Sequence, residues 1–238
     1  NAYQFIPNNA SAVIVVNELN DFVSSLEHHD ILSDVHHNQL QNASKFLKQL
    51  NTTKQILISF VENSAKSEDY LILTKNDSTL FQVDNLPNHI SETLTDFKIE
   101  KTQIDDTVMY HKIFGTVFAG SNSLELLKTL STKTENKVFS QLIETINDQA
   151  IASIIFNTNT KDYSKLLFSD VAYGKNANNY SVLDLVTRDN NLKYNGVLVS
   201  KDSINTNLDC FKNTIPQKTY SLELAPYNTN SLLSIAFD

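Results

Sequence analysis

The chain has 238 residues, of which 41% are hydrophobic and 19% charged, and its formal net charge is −8 at pH 7. The hydrophobic fraction is too high for an intrinsically disordered chain, and no apolar run approaches the ~20 residues that a membrane-spanning helix needs. Arg188 is the single arginine of this acidic chain, which excludes the clustered basic surface that nucleic acid requires. We therefore expect neither a nucleic-acid partner nor a transmembrane segment.

The low counts of glycine and cysteine argue against further classes of functional site. Four glycines are too few and too scattered for a phosphate-binding loop, so no nucleotide and no other cofactor is predicted. Cys210 is the single cysteine and has no pairing partner within the chain. No histidine lies near Cys210 in the sequence to act as its base, which favours a small core side chain. Because no serine-hydrolase motif or defined carboxylate pair occurs either, we predict no catalytic residue.

The first part of the chain begins with an apolar run of strand length at residues 12–16, and Asn17 is placed to cap a helix. That helix carries apolar residues at i, i+3, i+4 and i+7 from Leu19, and a second helix is expected over residues 37–50. Pro87 is expected to open a short helix on which Ile90 and Leu94 share one face. Strands are expected at residues 54–62, 69–75, 79–83, 98–104, 107–113 and 116–120, and His111 is expected on an exposed strand face.

The order strand, helix, helix, strand then recurs. Asn122 and Glu125 form a candidate capping box for a leucine-rich helix, and a second helix carries Phe139, Leu142 and Ile143. The elements expected next are a strand at 150–156, a short helix near 160–168, a hairpin of strands at 180–188 and 192–200, and a helix at 204–211. This order predicts an α+β fold with an antiparallel or mixed sheet, helices packed mainly on one face, and two β-α-α-β-like halves.

The two ends of the chain contain a similar pattern. Pro7 and Pro226 are each followed by asparagine, small polar residues and then an apolar run. The recurrence predicts one α+β domain over residues 1–225, with pseudo-repeat halves at 1–114 and 115–225. Residues 226–238 are then either the first strand of a following repeat or a strand that closes the edge of the sheet.

Two segments resemble a family of exported, often lipoprotein-like bacterial envelope proteins whose function is not known. They are residues 5–17 (FIPNNASAVIVVN) and residues 117–127 (VFAGSNSLELL). The resemblance implies a cell-envelope location, either periplasmic or outer-membrane-associated and in some cases surface-exposed, together with tandem α+β units. It also implies a lipid anchor upstream of Asn1. It carries over no catalytic residue.

A dense cluster of potential metal ligands lies between the first two predicted helices. His28 and His29 are flanked by Glu27 and Asp30, and His36 and His37 follow within the same connection. Imidazoles and carboxylates are ligands that zinc, nickel or copper accept, so these four histidines are candidate metal ligands. The alternative is a solvated connection in which a histidine lies near a helix C-terminus, because the spacing matches no established metal motif.

These observations predict an exported envelope protein without enzymatic activity, acting in binding, scaffolding or assembly with other envelope proteins. One alternative is a hydrolase of an envelope polymer whose active site is built from scattered residues. The other alternative is a metal-binding protein that uses the four clustered histidines.

Overall fold

A computed structural model describes most of the chain and is the structure analysed below. The described residues are 1–30, 32–33, 38–82, 89–94, 98–104, 106–131, 137–157, 179–188, 191–200, 213–229, 232, 234, 236 and 238. The helices predicted near 160–168 and 204–211, together with Cys210, lie outside these residues. Among the described residues no helix is long and apolar enough to cross a membrane.

The fold is built on one large antiparallel sheet. Ten strands lie in the order β10-β9-β8-β1-β2-β3-β7-β6-β5-β4, each pair is antiparallel, and the sheet does not close. The strands are β1 (Ala10–Val16), β2 (Ile56–Glu62), β3 (Glu68–Lys75), β4 (His89–Leu94), β5 (Ile99–Ile104), β6 (Thr107–Phe114), β7 (Val117–Ser121), β8 (Ala152–Asn157), β9 (Asn179–Arg188) and β10 (Asn191–Ser200).

The first face of the sheet is covered by two helices. Helix α1 (Leu19–His28) follows β1, and helix α2 (Asn38–Leu47) precedes β2. Leu19 and Phe22 of α1 are buried, as the predicted helical spacing requires. They pack with Ile14, Ile58 and Ile72, which project from the same side of the three central strands.

The second face is covered by a different set of elements. These are a short 3₁₀ helix η1 (Ala2–Phe5), helix α3 (Leu124–Thr129) and helix α4 (Lys137–Ile143). Phe5, Leu127 and Leu142 from these elements pack with Val13 and Leu57 of the sheet in a second hydrophobic cluster. The Ser123 Oγ atom caps α3 by accepting from the Leu126 N–H at 3.4 Å. The predicted cap Asn122 instead accepts from the Tyr70 N–H at 2.8 Å.

The predicted α+β arrangement with helices mainly on one face is therefore wrong. The structure is dominated by its sheet, and helices pack on both sides of it. The physical reason lies in the central strands, because every residue of β1 is buried and β3 is buried from Tyr70 to Thr74. An antiparallel strand with one solvated face alternates apolar and polar residues, whereas these strands need cover on both faces.

The two stretches predicted as β-α-α-β halves share an order of elements but not a topology. In the first stretch, β1 and β2 are hydrogen-bonded neighbours. In the second, the connection from β7 to β8 passes the positions of β3, β2 and β1 before β8 pairs with β1. The helix pairs also lie on opposite faces of the sheet.

Two local predictions fail between residues 77 and 94. The segment after Pro87 is not a helix at residues 89–94 but strand β4, in which Ile90 is 67% exposed. A spacing of four residues is compatible with both helix and strand, so Ile90 and Leu94 did not decide between them. Residues 79–82 do not form the predicted strand, because Asp77 accepts from the N–H and the hydroxyl of Thr79 and forms a turn there.

The C-terminal residues form a small exposed unit. Helix α5 (Ser221–Leu224) follows a segment in which the Gln217 N–H donates to the Ala236 carbonyl at 2.9 Å. The Asp238 N–H donates to the Ile215 carbonyl at 3.2 Å. These bonds hold Ile215 and Gln217 alongside Ala236 and Asp238.

Gly196 allows β10 to lie unusually close to β9, which generates a stability prediction. A Cβ atom at Gly196 would lie 1.9 Å from the Val182 carbonyl oxygen. That oxygen belongs to the ladder, so Gly196→Ala has to open the pairing of the two strands. We expect the free energy of unfolding to fall by about 1–3 kcal/mol in urea titrations followed by circular dichroism. Asn195→Ala, at the exposed neighbouring position, is the control and should change it by less than ~0.5 kcal/mol; an equal loss in both variants would contradict the close approach.

Candidate functional site

The histidine cluster is only partly within the described residues. His28 is the last residue of α1, and its exposed ring lies with Nδ1 3.1 Å from the Ser24 carbonyl oxygen. His29 is the C-cap of the same helix and is buried. The two rings therefore lie in different environments, although they are adjacent in the sequence. His36 and His37 lie outside the described residues, and no group of three metal-ligating side chains occurs within them. Metal binding by the four histidines stays a prediction.

Acidic side chains near these helices take part in ion pairs. Lys48, which follows the last residue of α2, donates to the carboxylate of Glu27, and this hydrogen bond lowers the pKa of Glu27. Lys45 donates to Asp106 at 3.2 Å and lowers the pKa of that carboxyl group in the same way. The hydroxyl of Thr79 has the same effect on the pKa of Asp77. A general acid near neutral pH needs a raised pKa, so these groups do not suit that role. The alternative of a hydrolase stays a prediction.

Asp184 is a buried acidic side chain that acts in the described structure as an acceptor. Its Oδ1 atom accepts from the buried Ser153 hydroxyl at 2.6 Å and from the Asn147 N–H at 3.1 Å. Ser153 lies directly opposite Asp184 in the β8–β9 ladder. A buried carboxylate is tolerated when it is hydrogen-bonded, and here it ties the α4–β8 connection to the sheet.

A second set of hydrogen bonds, which involves the amide side chains of Asn17 and Gln55, continues across this end of the sheet. The Asn17 side chain donates to the carbonyl oxygens of Asn147 at 3.2 Å and Ala150 at 2.9 Å. The Gln55 side chain donates to Asn17 Oδ1 at 2.8 Å, and the Tyr3 hydroxyl donates to Gln55 Oε1. These polar side chains join the chain segments beside β1, β2 and β8, which is a structural role.

His111 lies in an aromatic cluster of β6 rather than on the exposed strand face predicted for it. Its ring stacks on Phe118 at a centroid distance of 5.4 Å and contacts Phe81 edge to face at 5.2 Å. The Nδ1 atom is buried and has no hydrogen-bond partner among the described residues. Burial lowers the pKa of His111 to about 4, while the charge of Glu100, directly opposite on β5, acts in the other direction. The ring is therefore neutral at pH 7.

The two edges of the sheet differ in length and charge. Strand β4 has six residues, and Glu92 forms an ion pair with Lys101 of β5 at 3.7 Å. Strand β10 has ten residues, of which Lys193 is the only charged one. Val197 and Leu198 of β10 are 42% and 47% exposed. Charged side chains commonly protect sheet edges from pairing with other strands, so β10 is the less protected edge.

The C-terminal residues contribute a second group of exposed apolar side chains. Leu224 is 83% exposed, and Tyr220 is 55% exposed with Lys218 Nζ 5.1 Å from its ring centroid. The other members of the group are Ile215, Tyr227 and Leu232. These exposed apolar side chains are available for contact with a partner.

The comparisons with known proteins give distant structural similarity. No protein-family model matches the chain, and the search of curated proteins gives no match. A solved structure described as crystal form III of TP0453 is similar over 86% of this chain and 82% of its own, with 13% identity and a TM-score of 0.45. Crystal form I of TP0453 is similar over 87% of this chain and 81% of its own, with 11% identity and a TM-score of 0.46. At these TM-scores the similarity carries no argument about function.

The sequence reasoning missed both Asp184 and the exposed edge. Asp184 interrupts an apolar run between Leu183 and Leu185, and an acidic residue inside a predicted strand is a visible signal of a buried bond or an exposed face. Its partner Ser153 is 31 residues away, so the pairing depends on a register that the sequence does not specify. The exposure of Val197 and Leu198 depends on strand order, which is equally non-local.

The Ser153–Asp184 hydrogen bond is testable by a double-mutant cycle. Ser153→Ala and Asp184→Ala should each lower the free energy of unfolding by about 1–3 kcal/mol. Ser153→Ala removes one of the two donors to the buried Asp184, and Asp184→Ala leaves the Ser153 hydroxyl and the Asn147 N–H without their acceptor. The double variant should lose less than the sum of the two single losses, since both remove the same bond. Urea unfolding supplies the three values, and Asp148→Ala in the neighbouring exposed turn is the control. Strictly additive losses would rule out the coupling.

The burial of His111 should appear in the pH dependence of stability. The unfolded chain takes up a proton near pH 6.5, whereas folded His111 does so only near pH 4, so stability falls as the pH drops between these values. This difference in the pKa of His111 corresponds to on the order of 3 kcal/mol in the free energy of unfolding. The stabilisation is fully present above pH 6.5 and is lost as the pH falls toward 4. In His111→Phe this part of the decline should be absent from urea unfolding measured at pH 4 and pH 7. His28→Gln, at an exposed histidine, should keep the wild-type decline; a parallel decline in all three proteins would contradict the assignment.

Proposed function

We propose that this chain is an exported, non-enzymatic binding or assembly module of the bacterial cell envelope, with other envelope proteins as its partners. The resemblance of residues 5–17 and 117–127 to exported envelope proteins supports the location. The acidic composition, in which Arg188 is the single arginine, argues against a nucleic-acid partner.

The observation that carries the proposal is the set of large apolar side chains left on the surface. Leu224, Ile90 and Ile215 are each more than 60% exposed. A chain with a well-packed core on each face of its sheet has no need of exposed leucine, isoleucine and tyrosine side chains for its own stability. Such side chains lose contact with water when a partner covers them, and this burial drives association.

The polar groups of the described residues support a role without catalysis. Asp184 accepts two hydrogen bonds within the fold, and Glu27 and Asp106 are paired with lysines. His111 is neutral and enclosed by phenylalanine rings. A catalytic group must reach a substrate, and these groups are instead occupied by the protein itself.

The test is recovery of a partner from the native envelope. The full-length protein, tagged and expressed in its own host, is cross-linked, extracted from envelope fractions in mild detergent and compared with a variant carrying Leu224→Ser and Tyr227→Ser. We expect wild type in the envelope fraction with an envelope protein in stoichiometric amount, and at least a tenfold loss of that protein in the variant. Ile113→Ser removes an exposed isoleucine from β6 and is the matched control, which should retain the partner.

Two results would overturn the proposal. One is a wild-type protein that is recovered from the cytoplasmic fraction. The other is an envelope-located protein that comes alone, or with a partner whose recovery is the same in all three proteins. In the second case the exposed apolar side chains have no part in binding.

A further inference from the structure

One face of β6 places a thioether close to an imidazole. Met109 and His111 are two residues apart in this strand, so their side chains project to the same side of the sheet. Met109 is fully buried and is the single methionine of the chain. Thioether sulfur is a soft ligand that selects Cu(I), and imidazole nitrogen also binds copper. The pair therefore has the donor chemistry of a soft-metal site.

Gly120 leaves the space into which the sulfur bends. This residue of β7 lies directly opposite His111, and a Cβ atom on it would be 2.9 Å from Met109 Sδ. The Cβ positions of directly opposite residues are about 4.5–5.5 Å apart, so the sulfur lies next to the site that faces His111. A first-row metal ion at roughly 2.0 Å from nitrogen and roughly 2.3 Å from sulfur holds these two atoms no more than about 4.3 Å apart. The three rotatable bonds of methionine allow this separation without movement of the backbone.

The imidazole offers a nitrogen that the described part of the chain does not use. Nδ1 of His111 is buried and has no hydrogen-bond partner among the described residues. A buried polar atom in a native protein normally has a partner, and a bound ion is one way to supply it. The neutral ring can carry its proton on Nε2, which leaves the electron pair of Nδ1 free to bind a metal. His111 as a whole is only partly buried, so an ion can reach its ring from solvent.

The surroundings of this pair suit a soft cation of low charge. The rings of Phe81 and Phe118 lie 5.2 and 5.4 Å from the His111 ring and 5.9 Å from each other, and aromatic faces attract cations. Glu100 lies directly opposite His111 on β5, where its carboxylate accepts from the Thr93 hydroxyl at 2.8 Å, and its charge offsets that of a cation. The described part of the chain brings no three histidine, cysteine or acidic side chains together, so zinc would lack its usual ligands here.

We propose that Met109 Sδ and His111 Nδ1 together bind one Cu(I) ion. Both donor atoms are neutral, so binding transfers no electron and releases no proton. The ion replaces the partner that Nδ1 lacks within the described residues, and the phenylalanine rings separate it from water. The inference adds a soft-metal site to the first face of the sheet and does not depend on the identity of an envelope partner.

The experiment is NMR of the purified full chain with a labelled methionine methyl group, under anaerobic conditions. Every protein carries Cys210→Ser, so that the single thiol of the chain does not compete for copper. The signal of Met109 is the one that is absent from Met109→Leu. We expect this signal to shift until one equivalent of Cu(I) is added and to stay in place with Zn(II). Competition with the chelator bicinchoninate should show at least tenfold weaker Cu(I) binding in Met109→Leu and in His111→Phe.

His28→Gln is the matched control, because it removes an exposed histidine on α1, and it should keep both the shift and the affinity. Circular dichroism checks that each variant is folded. A Met109 signal that Cu(I) does not move overturns the proposal. So does a shift that survives His111→Phe, one that Zn(II) reproduces, or a loss of affinity that is equally large in His28→Gln. If Cu(I) does not bind but an envelope partner is recovered, the metal site fails while the proposed function stands.

Discussion

Burial of the central strands on both faces is the constraint on which the rest of the fold depends. Val13 and Val15 project from one side of β1, and Ile14 and Val16 project from the other. Each such side chain contributes roughly 1.5–3 kcal/mol to stability when it is removed from water. A sheet with one solvated face would lose this contribution for every apolar side chain on that face. The positions of η1 and the helices follow from this requirement, because α1 and α2 complete one layer and α3 and α4 complete the other.

Local patterns in the sequence were sufficient for most elements but not for their arrangement. The 3–4–7 spacing from Leu19 and the hairpin around residues 189–191 are confirmed as α1 and as β9 with β10. The four-residue spacing of Ile90 and Leu94 is compatible with both a helix and a strand. The segment forms a strand because it pairs with β5. The layer that each helix joins was not predicted, although the apolar run at residues 12–16 of β1 indicates cover on both faces. The Ser153–Asp184 bond depends on pairing between β8 and β9, which local spacing does not encode.

Two titratable side chains of the described structure are enclosed, and several large apolar side chains are exposed. His111 lies against phenylalanine rings, and Asp184 accepts hydrogen bonds from Ser153 and Asn147. Leu198 and Leu224 are among the exposed apolar side chains. In the proposed binding role, burial of the exposed apolar side chains would supply affinity, and the hydrogen bonds of enclosed polar groups would keep the scaffold rigid.

The long connection from β7 to β8 has a consequence for how the chain is made. Ile14 of β1 pairs with Ile58 of β2, which is 44 residues further along the chain (58 − 14), but its partner on the other edge, Ile154 of β8, is 140 residues further along (154 − 14). Until then β1, in which residues 12–16 are all apolar, is at the margin of a partly built sheet. Non-local pairing of this kind is slow, and an apolar margin is prone to join other nascent chains. An apolar strand of this protein is therefore synthesised long before its second neighbour exists, so its open edge has to be shielded from other chains during biosynthesis.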